Sequence, residues 1–456
     1  ARPARIFDRM SAPETPAAGA AATRSPLLSA GAQTYAAQLA VAVVSLANAL
    51  LVARVLGPTG RGEVAFLTAI GYLTSNLATL GVQEANVNVA GERPDARAAM
   101  ATNSAILAVI LGLLTFGAVA GLVLLAPVVG GDVDRTLLWI VLATLPVLIF
   151  STYLRFLIQG DYGFGITNLA WVLPAVVNVV VNGVLALLGV LSVATAVATW
   201  LAGQLIATAL LAWHVRWRSV GFGRPSLSLL RSSLSFGLKS HVGRVMLLAN
   251  YRIDQWILGA IAGSRQLGLY SVAVAFAEAL FLLPTAIAAV QRPDLVRDDP
   301  AAAAGRTSRL FRFSVLVTLV GAVALIVLAP LLCVAVFGES FRGAVDDLRI
   351  LSLGAFGIVA LKQLGGALTA RRKPTAASMA IGVAFIAMLV LDILLIPRHG
   401  GTGAAVASTI AYSIAGLVVA AMFVRKLGGR PRDLLPGTRD VREAFSGARR
   451  LTATTS

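Results

Sequence analysis

Long apolar stretches alternate with short polar breaks along nearly the whole chain. A helix needs about 20 mostly apolar residues to cross a hydrocarbon core, because each unsatisfied backbone group there costs several kcal/mol. Twelve stretches meet that requirement, near 31–53, 64–90, 99–126, 136–154, 164–189, 192–214, 233–259, 267–290, 313–337, 350–369, 376–396 and 402–424. The pattern predicts an all-α integral membrane protein of about 12 transmembrane helices. Residues 1–29, rich in Ala, Pro and Ser, read as a disordered polar tail and not as a cleaved leader, and 426–456 as a basic tail. Composition agrees. Of 456 residues 57% are hydrophobic and 13% charged, with a mean hydropathy of +0.83, against a charged share of about 25% in soluble domains. So few charges cannot cover the surface of a soluble chain of this length.

The net charge of +17, from 38 Lys+Arg and 21 Asp+Glu, changes meaning once the basic residues are placed by side. Twelve spans put both tails on one face. That face and its loops carry 27 basic residues, the opposite face carries seven, and four (Lys239, Arg244, Arg252 and Lys362) fall inside spans. With span 4 ending near 154, Arg155 counts with the loop after it. The asymmetry follows the positive-inside rule and predicts cytoplasmic termini. It also removes the case for a nucleic-acid partner, since the charge serves insertion and an anionic leaflet. The lone cysteine, Cys333, lies in an apolar run and offers neither a disulfide nor a metal site.

The chain repeats itself at an offset of roughly 200 to 210 residues. Span 1 ends on Leu56-Gly57 with Gly62 opening the next helix, and span 7 ends on Leu258-Gly259 with Gly268 in the same role. At an offset of 210, Asn182 falls on Asp392, Leu185 on Leu395, Ala194 on Ala404 and Thr199 on Thr409. Six spans per repeat give the halves the same orientation, related by an axis along the membrane normal. The expected halves are 30–218 and 233–425, joined by a cytoplasmic linker at 219–232. Two such bundles enclose a central cavity whose opening can alternate between faces.

An ionisable side chain at bilayer depth costs at least about 2.5 kcal/mol to insert, so it normally faces a cavity or a partner. Span 7 concentrates such residues. At 100° per residue, Ser240, His241, Arg244, Tyr251, Arg252 and Gln255 share one stripe. Arginine presents a planar fork of donors that matches phosphate. Arg244 and Arg252, with Lys239 and with Lys362 in span 10, are candidate ligands for a phosphate or pyrophosphate head group. Equally, Arg252 can pair with Asp254 or Glu278, and Lys239 can snorkel to the surface. Asp392, alone in mid-span 11, is a candidate for coupling to H+ or Na+, as are Asp254 and Glu278; the other reading is a neutral acid bonded to a neighbouring helix. Asn86, Asn178 and Asn182, with Tyr251 and Gln255, are candidates for contacts with sugar hydroxyls, although such amides more often join helices. His214 lies between Trp213 and Trp217, as in an interfacial belt.

Several chemistries are excluded. No G-x-x-x-x-G-K-[ST] phosphate loop occurs, and His214, His241 and His399 form no zinc-binding spacing. No loop on the arginine-poor face has room for a catalytic domain, so neither an enzyme nor a resident cofactor is expected.

Three segments carry a family resemblance. They are Arg54-Val55-Leu56-Gly57-Pro58 with Gly60 and Gly62; Asp254-Gln255-Trp256-Ile257-Leu258-Gly259 with Gly268-Leu269-Tyr270 and Ala273; and Leu395-Ile396-Pro397-Arg398-His399-Gly400-Gly401-Thr402-Gly403-Ala404-Ala405. Spread over about 30–425, they resemble the polysaccharide and oligosaccharide flippases of bacterial surface-glycan synthesis. That superfamily also holds the multidrug and toxin extruders and the peptidoglycan-precursor flippases. The resemblance implies a lipid-linked oligosaccharide moved from the inner to the outer leaflet of the cell membrane. A cationic cavity would receive the pyrophosphate, the lipid tail would stay in the bilayer, and other glycan-assembly membrane proteins would be neighbours. Glu63 stands where the family usually has Tyr, and twelve spans separate the chain from the fourteen-span precursor branch.

The alternative on the same architecture is an ion-coupled multidrug antiporter, which needs an acidic cavity where span 7 is cationic. A major-facilitator carrier is also built as six plus six, but Gly91-Glu92-Arg93-Pro94-Asp95-Ala96-Arg97 keeps only the Gly and Asp of that family's loop. A membrane scaffold or glycan polymerase requires neither a repeat nor a buried cationic face.

Overall fold

The computed structural model describes residues 24–297, 299–371, 373–428, 430–437 and 440. Those residues are overwhelmingly helical, with no strand among them. Three helices, Arg24–Ala78, Leu227–Ala279 and Pro374–Leu427, hold 55, 53 and 54 residues. Straight, each would run roughly 80 Å, more than twice a hydrocarbon core of about 30 Å. Each is interrupted at one glycine with positive φ, namely Gly57 (69°), Gly263 (82°) and Gly400 (54°), a backbone state that a Cβ would penalise. Divided at these corners, the helices give twelve spans: 24–56, 58–92, 97–125, 135–160, 164–187, 193–218, 227–262, 264–297, 300–335, 344–370, 374–399 and 401–427. Eight helical stretches are long and apolar enough to cross a membrane; three of them, Ala36–Ala78, Arg252–Ala279 and Thr375–Leu427, each contain a corner.

The corners also display the repeat. Gly57 pairs with Gly263, Gly131 with Gly338, Gly189 with Gly400 and Gly221 with Gly428, each pair 206 to 211 residues apart. The first three pairs turn the chain on one face, called the corner face below; the opposite face is the arginine-rich one. The register differs from the sequence expectation at one point. Gly259, which the sequence aligns with Gly57, lies inside regular helix, where an added Cβ would run into the Phe66 ring. The corner itself falls four residues later.

Two boundaries move for local reasons. Span 4 continues through Leu145–Gly160, so Arg155 lies within a helix and not in the following loop. Span 7 begins at Leu227 and not near 233, because Ser226 caps it, accepting from Leu229 N at 3.4 Å. The short connection before it is strapped to span 3: Asn103 donates to Ser226 O (2.9 Å) and accepts from Ser226 N (3.1 Å), while Thr102 donates to Gly223 O (2.7 Å). Asn103→Ala leaves the Ser226 N–H unpaired, while Ser226 O keeps its bond from Leu230 N (2.9 Å), a loss of about 1–3 kcal/mol. Limited proteolysis should then cut within 219–226 several times faster, with the transmembrane helices still protected.

Span 2 is broken at Leu80 and Gly81, both with positive φ. The break frees carbonyls that neighbouring spans take up: Tyr153 of span 4 donates to Thr79 O (2.9 Å) and His241 of span 7 to Leu77 O (2.9 Å). His241 thus joins the two repeats at this point.

Candidate functional site

The repeats meet tightly at the corner face. A Cβ on Gly62 would collide with the Ser264 carbonyl, and one on Gly268 with the Pro58 carbonyl, so the two corners dock backbone to backbone. Polar contacts tie the same face. Asp132, in the connection between spans 3 and 4, accepts from Ser264 N (3.0 Å) and Ser264 Oγ (2.5 Å). Trp256 donates to Val129 O at 3.2 Å. Arg54 in span 1 donates to Val336 O (2.6 Å) and Ala335 O (3.0 Å). The Arg54 acceptors lie at the π-helical end of span 9, Leu331–Ala335, where irregular winding alters the backbone hydrogen-bonding pattern.

Away from that face the repeats part. A cavity of about 260 Å³ lies between Gln38 and Leu39 of span 1, Glu278, Phe281, Leu282 and Thr285 of span 8, and Lys362 of span 10. Span 8 is itself interrupted here, between Ala279 and Leu282. Arg252 of span 7 pairs with Glu278, Nη1 to Oε1 at 2.7 Å, and neither side chain is fully buried (31% and 38% exposed). Tyr72 of span 2 lies close to Arg252 and also to Arg155 of span 4, so it stands between the repeats. Arg155 has a buried Nε with no hydrogen-bond acceptor and no ion pair among the described residues. Counted along the helices from the corner face, Arg252 lies about 16 Å in, Tyr72 and Glu278 about 22 Å, and Lys362 and Arg155 roughly 27–30 Å. Lys362 at the cavity and Arg252, paired with Glu278 beside it, thus bring two cations to this region at different depths.

A second cluster lies within the C-terminal repeat. Asp254 is buried and accepts from Tyr270 Oη at 2.5 Å, Ser408 Oγ at 3.3 Å and Gln255 N at 2.8 Å. Asp392 is fully buried, close to Asp254, and neither of its oxygens has a hydrogen-bond partner among the described residues. Tyr412 adjoins Tyr270 and donates to Asn250 O at 3.0 Å. Spans 7, 8, 11 and 12 thus bring two carboxylates and three hydroxyls together. The other repeat carries amides in the corresponding place: Asn182 Nδ2 donates to Asn48 Oδ1 at 2.9 Å. Asn48 and Asn182 stand 206 and 210 residues before Asp254 and Asp392.

Residues 51–346, well over half of the chain, match the family described as polysaccharide biosynthesis protein. The chain belongs to that family. No curated protein matches it. Solved structures share its fold. An inward-facing multidrug resistance MATE family transporter of the MOP superfamily aligns over 85% of this chain and 94% of its own, at 15% identity and a TM-score of 0.70. The lipid II flippase MurJ, in an inward closed conformation, aligns over 88% of each chain at 13% identity and a TM-score of 0.72. A MOP superfamily transporter from Pyrococcus furiosus, reported with a binding pocket of reverse polarity, aligns over 87% and 94% at 14% identity and 0.57.

In this polysaccharide biosynthesis protein the other predicted residues sort by place. Arg252, Glu278 and Lys362 come together at the cavity, whereas Asp254 and Asp392 form the separate acid cluster. Asn86 is turned inward, donating to Ser104 Oγ (2.9 Å) and Tyr153 O (3.2 Å), and Asn182 is taken by Asn48. Asn178 and Gln255 are buried. The side chains of Lys239, Arg244 and Tyr251 lie outside the described residues. Arg155 is a further cation within a helix, on span 4 of the N-terminal repeat. Its signal in the sequence is Phe156-Leu157-Ile158, apolar residues that carry the helix past it.

Proposed function

We propose that the protein moves a polyprenyl-(pyro)phosphate-linked oligosaccharide from the inner to the outer leaflet of a bacterial cell membrane by alternating access. What carries the reading is the excess of cations among the described residues at the cavity, Arg252 and Lys362 against Glu278, in a member of a polysaccharide biosynthesis family. A guanidinium at this depth is costly unless an anion meets it, and a lipid-borne pyrophosphate is such an anion. The distribution of basic residues puts the arginine-rich face in the cytoplasm. The cavity then faces the leaflet in which such a lipid is made, and the closed corner face seals the far side. The halves, 30–218 and 233–425, pivot so that one face opens as the other closes. The acid cluster of Asp254 and Asp392 exchanges H+ or Na+ to drive the cycle.

The test is reconstitution with a polyprenyl-pyrophosphate oligosaccharide carrying a label that an impermeant reagent quenches. The protein should expose the label at least about tenfold faster than empty vesicles. Arg252→Gln should slow that by about 10- to 100-fold, because a charge-assisted hydrogen bond contributes about 1.5–3 kcal/mol. Gradient-driven uptake of a cationic dye with no movement of the labelled lipid would establish the antiporter reading in its place.

A further inference from the structure

We infer that the C-terminal repeat binds an anionic phospholipid of the leaflet on the arginine-rich side, with one acyl chain lying in a groove between spans 10 and 12. The inference is independent of the flippase reading. The groove holds about 680 Å³ and is walled by spans 9, 10 and 12 and by the short helix Pro431–Leu434; among the described residues, none of the N-terminal repeat lines it. It opens away from the central cavity, because Ala360 in its wall stands about 160° around span 10 from Lys362. From Ser413 to Arg425 it follows span 12 for about 18 Å, close to the roughly 15 Å of hydrocarbon in one leaflet. Ser413 lies near the middle of that span (401–427) and Arg425 at its arginine-rich end, so the groove is one leaflet deep. Apart from Ser413 and Arg425 its walls carry no polar side chain. An apolar hollow at bilayer depth stays dry, and hydrocarbon is what fills it. The mouth supplies the charge. Arg425 is exposed and enters no ion pair among the described residues. Lys426, Arg430 and Arg432 are exposed at the same end, against Asp433 alone among the described residues, since Asp440 is held by Arg312 at 2.9 Å. Arg312 of span 9 also donates to Asp433 O (2.6 Å), which straps the chain after span 12 beneath the groove and leaves Leu435 at its mouth, 68% exposed. A phosphate there meets the guanidinium fork of Arg425, while Leu435 meets the upper acyl carbons. The bound lipid thus ties the end of span 12 to span 10 and to the strapped tail.

Native mass spectrometry of the delipidated full chain tests this, with dioleoyl phosphatidylglycerol, dioleoyl phosphatidylcholine and glycerol phosphate as separate arms and the melting temperature recorded for each variant. The wild type should retain phosphatidylglycerol at least about tenfold more tightly than phosphatidylcholine. Arg425→Gln should remove that preference, and Arg425→Lys should recover part of it. Ala421→Trp, which fills the groove from an exposed position, should weaken retention of both lipids about tenfold or more. The lipid-free melting temperature should hold in all three variants, because neither side chain is buried. Equal retention of the two lipids by the wild type, or an unchanged preference in Arg425→Gln, overturns the inference. Glycerol phosphate bound as tightly as phosphatidylglycerol identifies a soluble-phosphate site and overturns it too. A preference lost in Arg252→Gln and kept in Arg425→Gln would put the lipid in the central cavity, and a dimer that Ala421→Trp dissociates would make the groove an interface between two copies. Either result overturns the assignment and leaves the flippase reading standing.

Discussion

Placing a side chain at Gly62 or Gly268 should hold the protein open at its corner face and cut translocation about 100-fold or more. Each glycine meets the backbone of the opposite repeat, Gly62 the Ser264 carbonyl and Gly268 the Pro58 carbonyl. A flexible side chain can rotate away from an added methyl group, but a carbonyl at a helix start cannot. Overpacking costs about 1–3 kcal/mol where neighbours can yield and more where they cannot. At 3 kcal/mol the closed state loses more than a hundredfold in population, enough to reverse an equilibrium between two open forms. The overlap exists only while the corners are docked, so the alternative state is spared and the protein should still fold. Cysteine labelling checks this directly. Cys333 is the chain's single cysteine and is buried, so Cys333→Ala gives a clean background for Gln38→Cys at the cavity. A reagent added from the arginine-rich side should modify that cysteine in the parent and much more slowly after Gly62→Val or Gly268→Val. Gly117→Val, where an added Cβ meets open space, serves as the control. Unchanged labelling and unchanged transport in both corner variants would show that the docking is incidental.

Some of this organisation is legible in the sequence, and the division is physical. Spans are legible because lipid imposes a local rule, about 20 apolar residues whatever lies beside them. The repeat is legible for a similar reason, since corners on the same face need glycines at matching places. What escapes is whatever depends on which helices are neighbours. Arg252 has two carboxylates within reach along the chain, Asp254 and Glu278, and only packing selects Glu278. Asn182 looks equally suited to a sugar or to a helix contact until Asn48 is found beside it. Arg155 is hidden because a charge near a hydropathy boundary is naturally assigned to the loop, whereas the helix runs five residues further. The Gly57 and Gly263 correspondence is obscured by Gly259, which packs against Phe66 and turns nothing.

Changing Asp254 and Asp392 together to Asn should leave a folded protein that no longer couples to an ion gradient. The N-terminal repeat already performs that substitution: Asn48 and Asn182 occupy the corresponding places and hydrogen-bond at 2.9 Å, so an amide pair packs at this junction. Burying a bare carboxylate costs several kcal/mol even after relaxation. Two carboxylates near one another, with no donor to Asp392 among the described residues, therefore favour uptake of a proton or a cation. A cation bound only by the folded state raises stability by about 2.7 kcal/mol at a hundred times its dissociation constant. The melting temperature of the wild type should thus rise with Na+ over choline, or with acidification, whichever ion the site takes, and the double variant should respond to neither. Its gradient-driven transport should fall about 100-fold, and persistence of that transport would remove the acid cluster from the cycle. The link to the cavity runs through spans 7 and 8. Asp254 lies two residues from Arg252, and its partner Tyr270 lies two helical turns from Glu278 on the same span. A shift of span 7 against span 8 on ion exchange therefore acts directly on the Arg252–Glu278 pair, and because the N-terminal repeat carries amides, it acts from the C-terminal repeat alone.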